Sequence, residues 1–264
     1  MSLLSVVVNY KTDDLLYEFL RSYREFVDQD YRRLVVVDVE GDPARSFESR
    51  WRDMPVSNWL TDTENCGYAT AVNWAIDSQS ESDFDNIAIF NADTKFIDHF
   101  IVDSCVDLLD SNDDIAVVGP MQFDSQGRIT HAGIFGTNDK PFHRAWLSRD
   151  KDAHRYVADC VSVSGSAYFI KRKVWDEMFN CHLYKEIDPD SKGAMLQTPH
   201  YYEETYLSYH VREHGYRVVY NGEAEMIHEW HKSSPVDGEV DSKFMPISQS
   251  IFRKACDYHG IIHD

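Results

Sequence analysis

The fold is decided by the stretch Ile87-Ala88-Ile89-Phe90-Asn91-Ala92-Asp93-Thr94, in which an apolar run ends in Asn-x-Asp. Such a run predicts a buried strand that delivers a carboxylate to the edge of a sheet. In open α/β sheets, ligands bind beyond the carboxyl ends of the strands. Asp93 would stand there, where a carboxylate can bind a divalent cation that in turn holds phosphates. The alternative is a simple strand-ending turn, which Asn and Asp favour through local hydrogen bonds.

The segments around this stretch alternate between short apolar runs and helical periodicity. Two more strands are predicted at 4–8 and 34–38, and helices at 15–23, 67–76 and 100–109. This βαβ pattern predicts an α/β fold with a mainly parallel central sheet flanked by helices. Asn9 and Asp38 follow the first two strands. We therefore expect their side chains at the same rim as Asn91 and Asp93.

The second half of the sequence is more mixed. A strand from Ile115 is predicted to end at Pro120, because proline lacks a backbone N–H. The other predicted strands are 129–136, 160–170 with a kink at Ser164-Gly165-Ser166, 217–220 and 225–228. Helices are predicted at 173–179, at 203–214 with a stop at Gly215, and at 247–258. A long loop over 184–198 and a linker over 233–242 complete the prediction.

Composition narrows the classes of function. The 264 residues include 26 Lys and Arg against 45 Asp and Glu, a formal net charge of −19. This balance argues against a nucleic-acid partner, because nucleic-acid binding requires positive potential. Five scattered cysteines without a Cys-x-x-Cys pair indicate free thiols in a reducing compartment. With neither a signal peptide nor a membrane span of about 18 apolar residues, we expect a cytoplasmic protein.

Three further motifs contain residues of the types that bind anions or sugars, transfer protons or ligate metals. Asn65 and Gly67 open a helix whose N-terminus suits an anion or sugar hydroxyls, although an ordinary capped helix fits equally well. Glu203 and Glu204 begin another helix, where they either favour the helix dipole or provide a general base. His228 ends a strand and, together with Asp93, can bind a divalent metal such as Mn²⁺ or Mg²⁺.

The order of the motifs resembles that of a known enzyme family. The matching pieces are Ser5-Val6-Val7-Val8-Asn9-Tyr10, Val36-Val37-Asp38, Asn65-x-Gly67-Tyr68, Asn73-x-Ala75-Ile76, Phe90-Asn91-Ala92-Asp93-Thr94, His131-Ala132-Gly133, Val163-Ser164-Gly165-Ser166-Ala167, Glu203-Glu204 and His228. Together they span about residues 4 to 232. In this order they resemble the GT-A fold glycosyltransferases of the family-2 type, in particular the rhamnosyltransferase-like branch.

The resemblance implies a role for each matching residue. The donor would be a UDP-, dTDP- or GDP-sugar, and its nucleotide and sugar would be bound by Asn9, Asp38, Asn65, Gly67, Asn73, Asn91 and Asp93. Asp93 and His228 would hold the metal. Glu204 stands at the position of the family's catalytic base, with Glu203 as its acidic neighbour. Residues 1–232 would form one domain, of which 1–120 bind the nucleotide sugar and 121–232 the acceptor, followed by a linker and helix over 233–264.

Three departures from the family pattern qualify these roles. Asn91 replaces the first acidic residue of the usual Asp-x-Asp motif, so the metal would depend on Asp93 and His228 nearly alone. Ala71 stands where glycine is frequent, and Glu204 is one methylene longer than the usual aspartate.

The function implied is that of an inverting, metal-dependent hexosyl- or deoxyhexosyltransferase. Its acceptor would be a glycan, a protein or a small molecule. Two alternatives remain open at this point. A nucleotidyltransferase also combines an α/β sheet with acidic metal ligands, although the segment Asn9-Tyr10-Lys11-Thr12-Asp13-Asp14 offers only one basic residue for phosphate. The second alternative is a non-catalytic carbohydrate-binding or structural protein, which would keep the fold but would not catalyse sugar transfer.

Overall fold

A computed structural model describes residues 2–27, 32–44, 48–79, 84–181, 193–229 and 238–263, with backbone only over 238–242. Over these ranges the helices are α1 (Asp13–Phe26), α2 (Tyr68–Asp77), α3 (Phe100–Ser111), α4 (Arg172–Asn180), α5 (Glu203–Glu213) and α6 (Gly238–His259). No helix in these ranges is both long enough and apolar enough to cross a bilayer.

The strands form one large sheet and a separate hairpin. They are β1 (Leu3–Tyr10), β2 (Arg32–Val39), β3 (Asn58–Asp62), β4 (Asn86–Asn91), β5 (Thr94–Lys95), β6 (Ile115–Phe123), β7 (Ile129–His131), β8 (Ile134–Thr137), β9 (Lys140–His143), β10 (Val157–Asp159), β11 (Ala167–Lys171) and β12 (Arg217–His228). The large sheet has the order β10-β12-β6-β11-β4-β1-β2-β3, with β5 on β12 and β7 on β6. Strands β8 and β9 form the hairpin.

The first half of the sheet is parallel and the second half is mixed. Strands β4, β1, β2 and β3 all run in the same direction, whereas β11 is antiparallel to both β4 and β6. Both faces are covered, with α1 and α3 on one side and α2, α4 and α5 on the other. This arrangement confirms the predicted α/β class, in which a parallel sheet is buried on both faces.

Register brings the polar ends of the first strands together. Asn9 pairs with Asp38 across β1 and β2, and Val8 pairs with Asn91 across β1 and β4. Because parallel strands in register end at the same edge, all three polar side chains lie at one rim. The expected common rim is thus a consequence of the strand pairing.

Pro120 does not end its strand as predicted, because β6 continues to Phe123. The partner strand β12 shifts register between Asn221 and Glu225, directly after the Asn221–Pro120 pair. A bulge is a place where a sheet tolerates proline, since the ladder is already interrupted there. The two short strands predicted at 217–220 and 225–228 are the two sides of this bulge in one strand.

Other boundaries also differ from the prediction. The segment around Trp59 forms β3, although its five half-buried residues show no apolar run. The strand predicted over 160–170 is regular only from Ala167, and the one over 129–136 is interrupted between His131 and Ile134. Helix α5 ends near the predicted stop, where Gly215 has a φ of 87°.

The C-terminal helix is longer than predicted. Helix α6 begins at Gly238, within the stretch predicted as a linker, and residues 233–237 lie outside the described ranges. Its Phe252 ring packs against Tyr202 at a centroid distance of 4.9 Å. The helix therefore packs on the same body as α5. Of the loop predicted over 184–198, only residues 193–198 are described, and they contain no helix or strand.

Candidate active site

A cavity of about 860 Å³ opens at the rim formed by the ends of β1, β2 and β4. This volume is in the range of small-molecule and cofactor sites. Six of the ten predicted site residues line it: Asn65, Gly67, Asn91, Glu203, Glu204 and His228. Aromatic side chains also line it, namely Tyr10, Tyr68, Trp146, Tyr201, Tyr202 and Phe244.

Asp93 and His228 come together through strand pairing. The short strand β5 pairs with the end of β12, so that Thr94 lies opposite His228. Asp93, the residue before Thr94, then places its Oδ1 at 3.5 Å from His228 Nε2. Both residues are buried, with 3% and 7% of their surface exposed. The sequence separates them by more than half of the chain, and the antiparallel pair joins them.

The donor set of this pair fits a divalent cation. Neighbouring ligands of one ion with bonds near 2.1 Å are about 3.0 Å apart at a right angle and about 3.4 Å apart at a tetrahedral angle. The 3.5 Å separation of Asp93 and His228 is close to this range. One carboxylate oxygen and one imidazole nitrogen suit a first-row ion such as Mn²⁺, whereas Mg²⁺ prefers oxygen ligands alone.

Asn9 and Asp38 lie beneath the rim rather than on the cavity wall. The Asn9 Nδ2 group donates to Asp38 Oδ1 at 2.8 Å, and both residues are completely buried. The Asn9 Oδ1 atom accepts from the Thr12 hydroxyl at 2.8 Å. Their neighbours Tyr10 and Val39 line the cavity instead. The pair thus fixes the ends of β1 and β2 against each other directly behind the wall.

The structure places Asn73 away from the other predicted residues. Its amide is buried and faces the main chain of Met195, donating to the carbonyl at 2.9 Å and accepting from the N–H at 3.1 Å. Both ends of the amide are therefore used to attach residues 193–195 to α2. By contrast, Asn65 and Gly67, at the entrance to α2, do line the cavity.

Glu203 and Glu204 enter their helix through an unusual backbone. The two preceding residues, Tyr201 and Tyr202, have φ values of 69° and 75°, a left-handed conformation that costs non-glycine residues energy. The Thr198 hydroxyl fixes this turn, since its Oγ1 contacts the Tyr201 carbonyl at 2.7 Å and Glu203 Oε2 at 3.0 Å. The turn presents both carboxylates to the cavity.

The electrostatics of the two glutamates favour retention of a proton. Burial raises the pKa of Glu203 to about 8, and the adjacent charge of Glu204 adds to this effect. Burial also raises the pKa of Glu204, while backbone N–H groups, including that of Gly165, oppose the rise. Two adjacent carboxylates in such a site share a proton more readily than they ionise together.

The Ser164-Gly165-Ser166 kink positions Glu204. A Cβ atom on Gly165 would lie 3.3 Å from the Glu204 Cδ and Cγ atoms, so the absence of a side chain permits this close contact. The Tyr68 hydroxyl donates to the Gly165 carbonyl at 2.8 Å. His131 Nε2 accepts from the Ser164 N–H at 3.1 Å, and burial lowers the pKa of His131 to about 3, which keeps it neutral.

Tyr68 is the site residue that sequence reasoning missed. Its burial, followed by the charges of Glu203, Glu204 and Asp93, raises its pKa well above the usual value. The carboxylates at both ends of the site thus act electrostatically on this one hydroxyl. The only signal in the sequence was its position directly after Gly67, because the partner Gly165 is 97 residues away.

Comparisons with known proteins agree on the fold. No family model matches the sequence, and no curated protein matches it. Among the solved structures that are similar to it are the following two. The mannosyltransferase PcManGT from Pyrobaculum calidifontis, in complex with GDP-Man and Mn²⁺, has 15% identity and a TM-score of 0.60 over 97% of this chain. GalNAc-T7 with UDP, GalNAc and Mn²⁺ has 14% identity and a TM-score of 0.62 over 100% of this chain.

The chain spans 64% and 55% of those two proteins, less than two thirds of either. At such low identity the likeness concerns the fold. It confirms the predicted fold class, an α/β sheet of the GT-A type that is flanked by helices.

Proposed function

We propose that this protein is a metal-dependent glycosyltransferase that moves a sugar from a nucleotide-activated donor to an acceptor hydroxyl. One observation carries the proposal. A buried Asp93–His228 pair and the Glu203–Glu204 pair belong to the same site, and His228 and both glutamates line one cavity of about 860 Å³. The two similar structures described above contain Mn²⁺ together with a nucleotide or a nucleotide sugar, which supports this assignment.

Each part of the cavity has a separate task in this proposal. Asp93 and His228 would hold the divalent ion, whose Lewis acidity neutralises the charge of the leaving nucleoside diphosphate. Tyr10 and Val39, above the Asn9–Asp38 hydrogen bond, would contact the nucleoside. Asn65, Gly67 and Asn91 would bind the rest of the donor. The aromatic residues around Trp146 and Tyr202 would form the acceptor side, where rings stack on sugars.

Glu204 would act as the general base. Its raised pKa brings it nearer to neutrality, where a base transfers protons most effectively. It would take the proton of the acceptor hydroxyl while the oxygen attacks the anomeric carbon and the nucleoside diphosphate leaves from the opposite face. Such an in-line displacement inverts the anomeric centre. Glu203, whose pKa is raised to about 8 by burial and by the adjacent charge of Glu204, would keep its proton and leave the negative charge of the pair on Glu204.

Thermal shift tests the donor and metal sites together. We expect UDP, GDP or dTDP, or one of their sugars, to raise the melting temperature in the presence of Mn²⁺, because binding stabilises the folded state by mass action. Asp93→Asn should abolish the part of this rise in melting temperature that depends on Mn²⁺. The control Asp77→Asn changes an exposed residue at the end of α2 and should retain the Mn²⁺-dependent rise. If no nucleotide shifts the wild-type protein, the proposal is wrong.

Product analysis separates the alternatives. A glycosyltransferase releases a nucleoside diphosphate from a nucleotide sugar, in transfer or in slow hydrolysis. A nucleotidyltransferase releases pyrophosphate from a nucleoside triphosphate, and a carbohydrate-binding protein releases neither. Release of pyrophosphate from a nucleoside triphosphate would overturn the assignment. Binding of nucleotide sugars without any turnover, tested with glycan, protein and small-molecule acceptors, would overturn it as well.

A further inference from the structure

A second cluster of metal-ligating side chains lies outside the cavity. Cys181 follows the last residue of α4, His210 lies in the last turn of α5, and His214 follows the end of α5. One ligand atom from each of the three lies within 4.8 Å of the others. The two histidines are four residues apart, the spacing that places two imidazoles on one side of a helix.

His210 is buried in an unusual state. Only 1% of its surface is exposed, and neither ring nitrogen has a hydrogen-bond partner among the described residues. Buried polar groups in folded proteins are normally paired, and an unpaired one calls for an explanation such as an ion. An imidazole nitrogen without a hydrogen-bond partner can offer its lone pair to a metal ion.

His214 is oriented as a metal ligand. Its Nδ1 lies 2.9 Å from the His210 carbonyl oxygen, which can only accept, so Nδ1 carries the hydrogen. In the neutral ring Nε2 then has a lone pair and no hydrogen. Metal-bound histidines are typically held in this way, with the other nitrogen donating to a carbonyl or carboxylate.

We infer that Cys181, His210 and His214 form a zinc site that is separate from the sugar-transfer cavity. A thiolate with two imidazoles favours Zn²⁺ over Mn²⁺ or Mg²⁺. Tetrahedral zinc with these ligands places their donor atoms about 3.4 to 3.6 Å apart, so no pair of donor atoms needs to close by more than about 1.4 Å. Cys181 is half-buried and His214 is exposed, which leaves both free to make this movement.

The site would fix the end of α5 opposite to the glutamate pair. Helix α5 begins with Glu203 and Glu204, and the zinc would attach its last turn to the end of α4. The His259 ring of α6 packs on His210 at a centroid distance of 4.4 Å. Zinc would thus connect the ends of α4 and α5 beside the contact with α6, and the expected consequence is higher thermal stability.

Cobalt spectroscopy on the full chain tests this inference. After removal of metal with a chelator, we expect Co²⁺ to produce a thiolate-to-cobalt charge-transfer band that Zn²⁺ abolishes. Cys181→Ser should eliminate the band, and His214→Ala should weaken binding by at least about tenfold, since even a lost second-shell partner can cost that much. Cys66→Ser and His263→Ala are the matched thiol and histidine controls, and both should keep the charge-transfer band.

Several outcomes would overturn the zinc site. These are a folded wild-type protein without a thiolate band, a band that persists in Cys181→Ser, or a band lost in Cys66→Ser. Circular dichroism of each variant establishes that it is folded. The Asp93→Asn variant should retain the band, because the cavity pair contains no thiolate. Failure of the zinc site is therefore distinguishable from failure of the proposed transferase activity.

Discussion

The carboxylates at the strand ends and those at the start of α5 have opposite surroundings. Asp38 accepts a hydrogen bond from the Asn9 amide, and Asp93 lies 3.5 Å from an imidazole nitrogen. Glu203 and Glu204 lie beside each other, with a hydroxyl and backbone N–H groups as partners. The first region is suited to hold a cation, because Asp93 and His228 offer an oxygen and a nitrogen to one ion. The second is suited to take up a proton.

The two regions are also built by different means. The strand ends owe their placement to register, since Asn9 pairs with Asp38 in regular parallel strands. The glutamates follow two left-handed tyrosines, a conformation that costs of the order of 1–3 kcal/mol at each non-glycine residue. Contacts from distant segments, such as Gly165 against Glu204, sustain it. We therefore expect the second region to be the more sensitive to single changes.

Replacement of the base should have the largest effect. In Glu204→Gln the side chain keeps its size but cannot accept the proton of the acceptor. General-base catalysis typically contributes about 10²- to 10⁴-fold, and we expect turnover to fall by this factor. Mn²⁺-dependent binding of the donor, measured by thermal shift, should remain, since the strand-end region is untouched.

A glutamate at the other end of the same helix provides the control. Glu213→Gln changes an exposed residue at the end of α5 and should leave turnover within about twofold of wild type, as surface substitutions usually have little effect. If Glu204→Gln also retained full turnover, Glu204 would not be the base and the distinction between the two regions would lose its chemical meaning.

Loss of the Tyr68 hydroxyl, which holds the Gly165 carbonyl beside Glu204, should have a smaller effect. Tyr68→Phe removes the 2.8 Å hydrogen bond to the Gly165 carbonyl but keeps the ring. A net contribution of about 1 kcal/mol for one hydrogen bond corresponds to about fivefold in kcat. Because Tyr68 acts on the position of Glu204, KM for the donor should change little. Steady-state kinetics separates the two parameters.

A half-buried tyrosine outside the cavity serves for comparison. Tyr216→Phe removes a 2.7 Å hydrogen bond to Glu177, and neither residue lines the cavity. It should leave both kcat and KM unchanged. A rise in KM without a change in kcat for Tyr68→Phe would instead place the hydroxyl on the donor, and its role in positioning Glu204 would be wrong.

The different ways in which the two regions are built explain which parts of the site can be predicted from the sequence. The strand-end residues follow apolar runs, and pairing in register needs only local patterns, so Asn9, Asp38 and Asn91 were expected together at the rim. The surroundings of Glu204 depend on contacts between remote segments. Neither the Tyr68–Gly165 hydrogen bond nor the left-handed turn before Glu203 leaves a periodic pattern.

Two predictions, those for Asn73 and Pro120, differ from the structure for the same reason. Asn73 was expected to bind the donor from its helix, but its amide holds the main chain of Met195, which is 122 residues away. Pro120 was expected to end β6, but a register shift in the partner strand accommodates it. In both cases a tertiary partner decides the role of the residue, and that partner is not visible in the local sequence.

The smallest expected effect concerns stability and pH. The pKa of Glu203 is raised to about 8 in the folded protein from an ordinary value of 4.5. The folded state therefore binds more protons than the unfolded state between these values. Its stability contribution is complete below about pH 4.5 and is lost as the pH rises through 8. Glu203→Gln cannot ionise, so this variant should gain stability relative to wild type as the pH rises.

The melting temperatures of wild type and Glu203→Gln, compared from pH 5 to 9, test this sign. We expect the difference to move by a few degrees in favour of the variant, since about 1 kcal/mol corresponds to about 2–4 °C in a protein of roughly this size. Glu18 provides the opposite case, because Lys95 lowers its pKa below 4.5. The difference between wild type and Glu18→Gln should therefore stay constant above pH 5. A constant difference for Glu203→Gln as well would mean that the glutamate pair is ionised like any surface carboxylate, and the contrast with the strand ends would disappear.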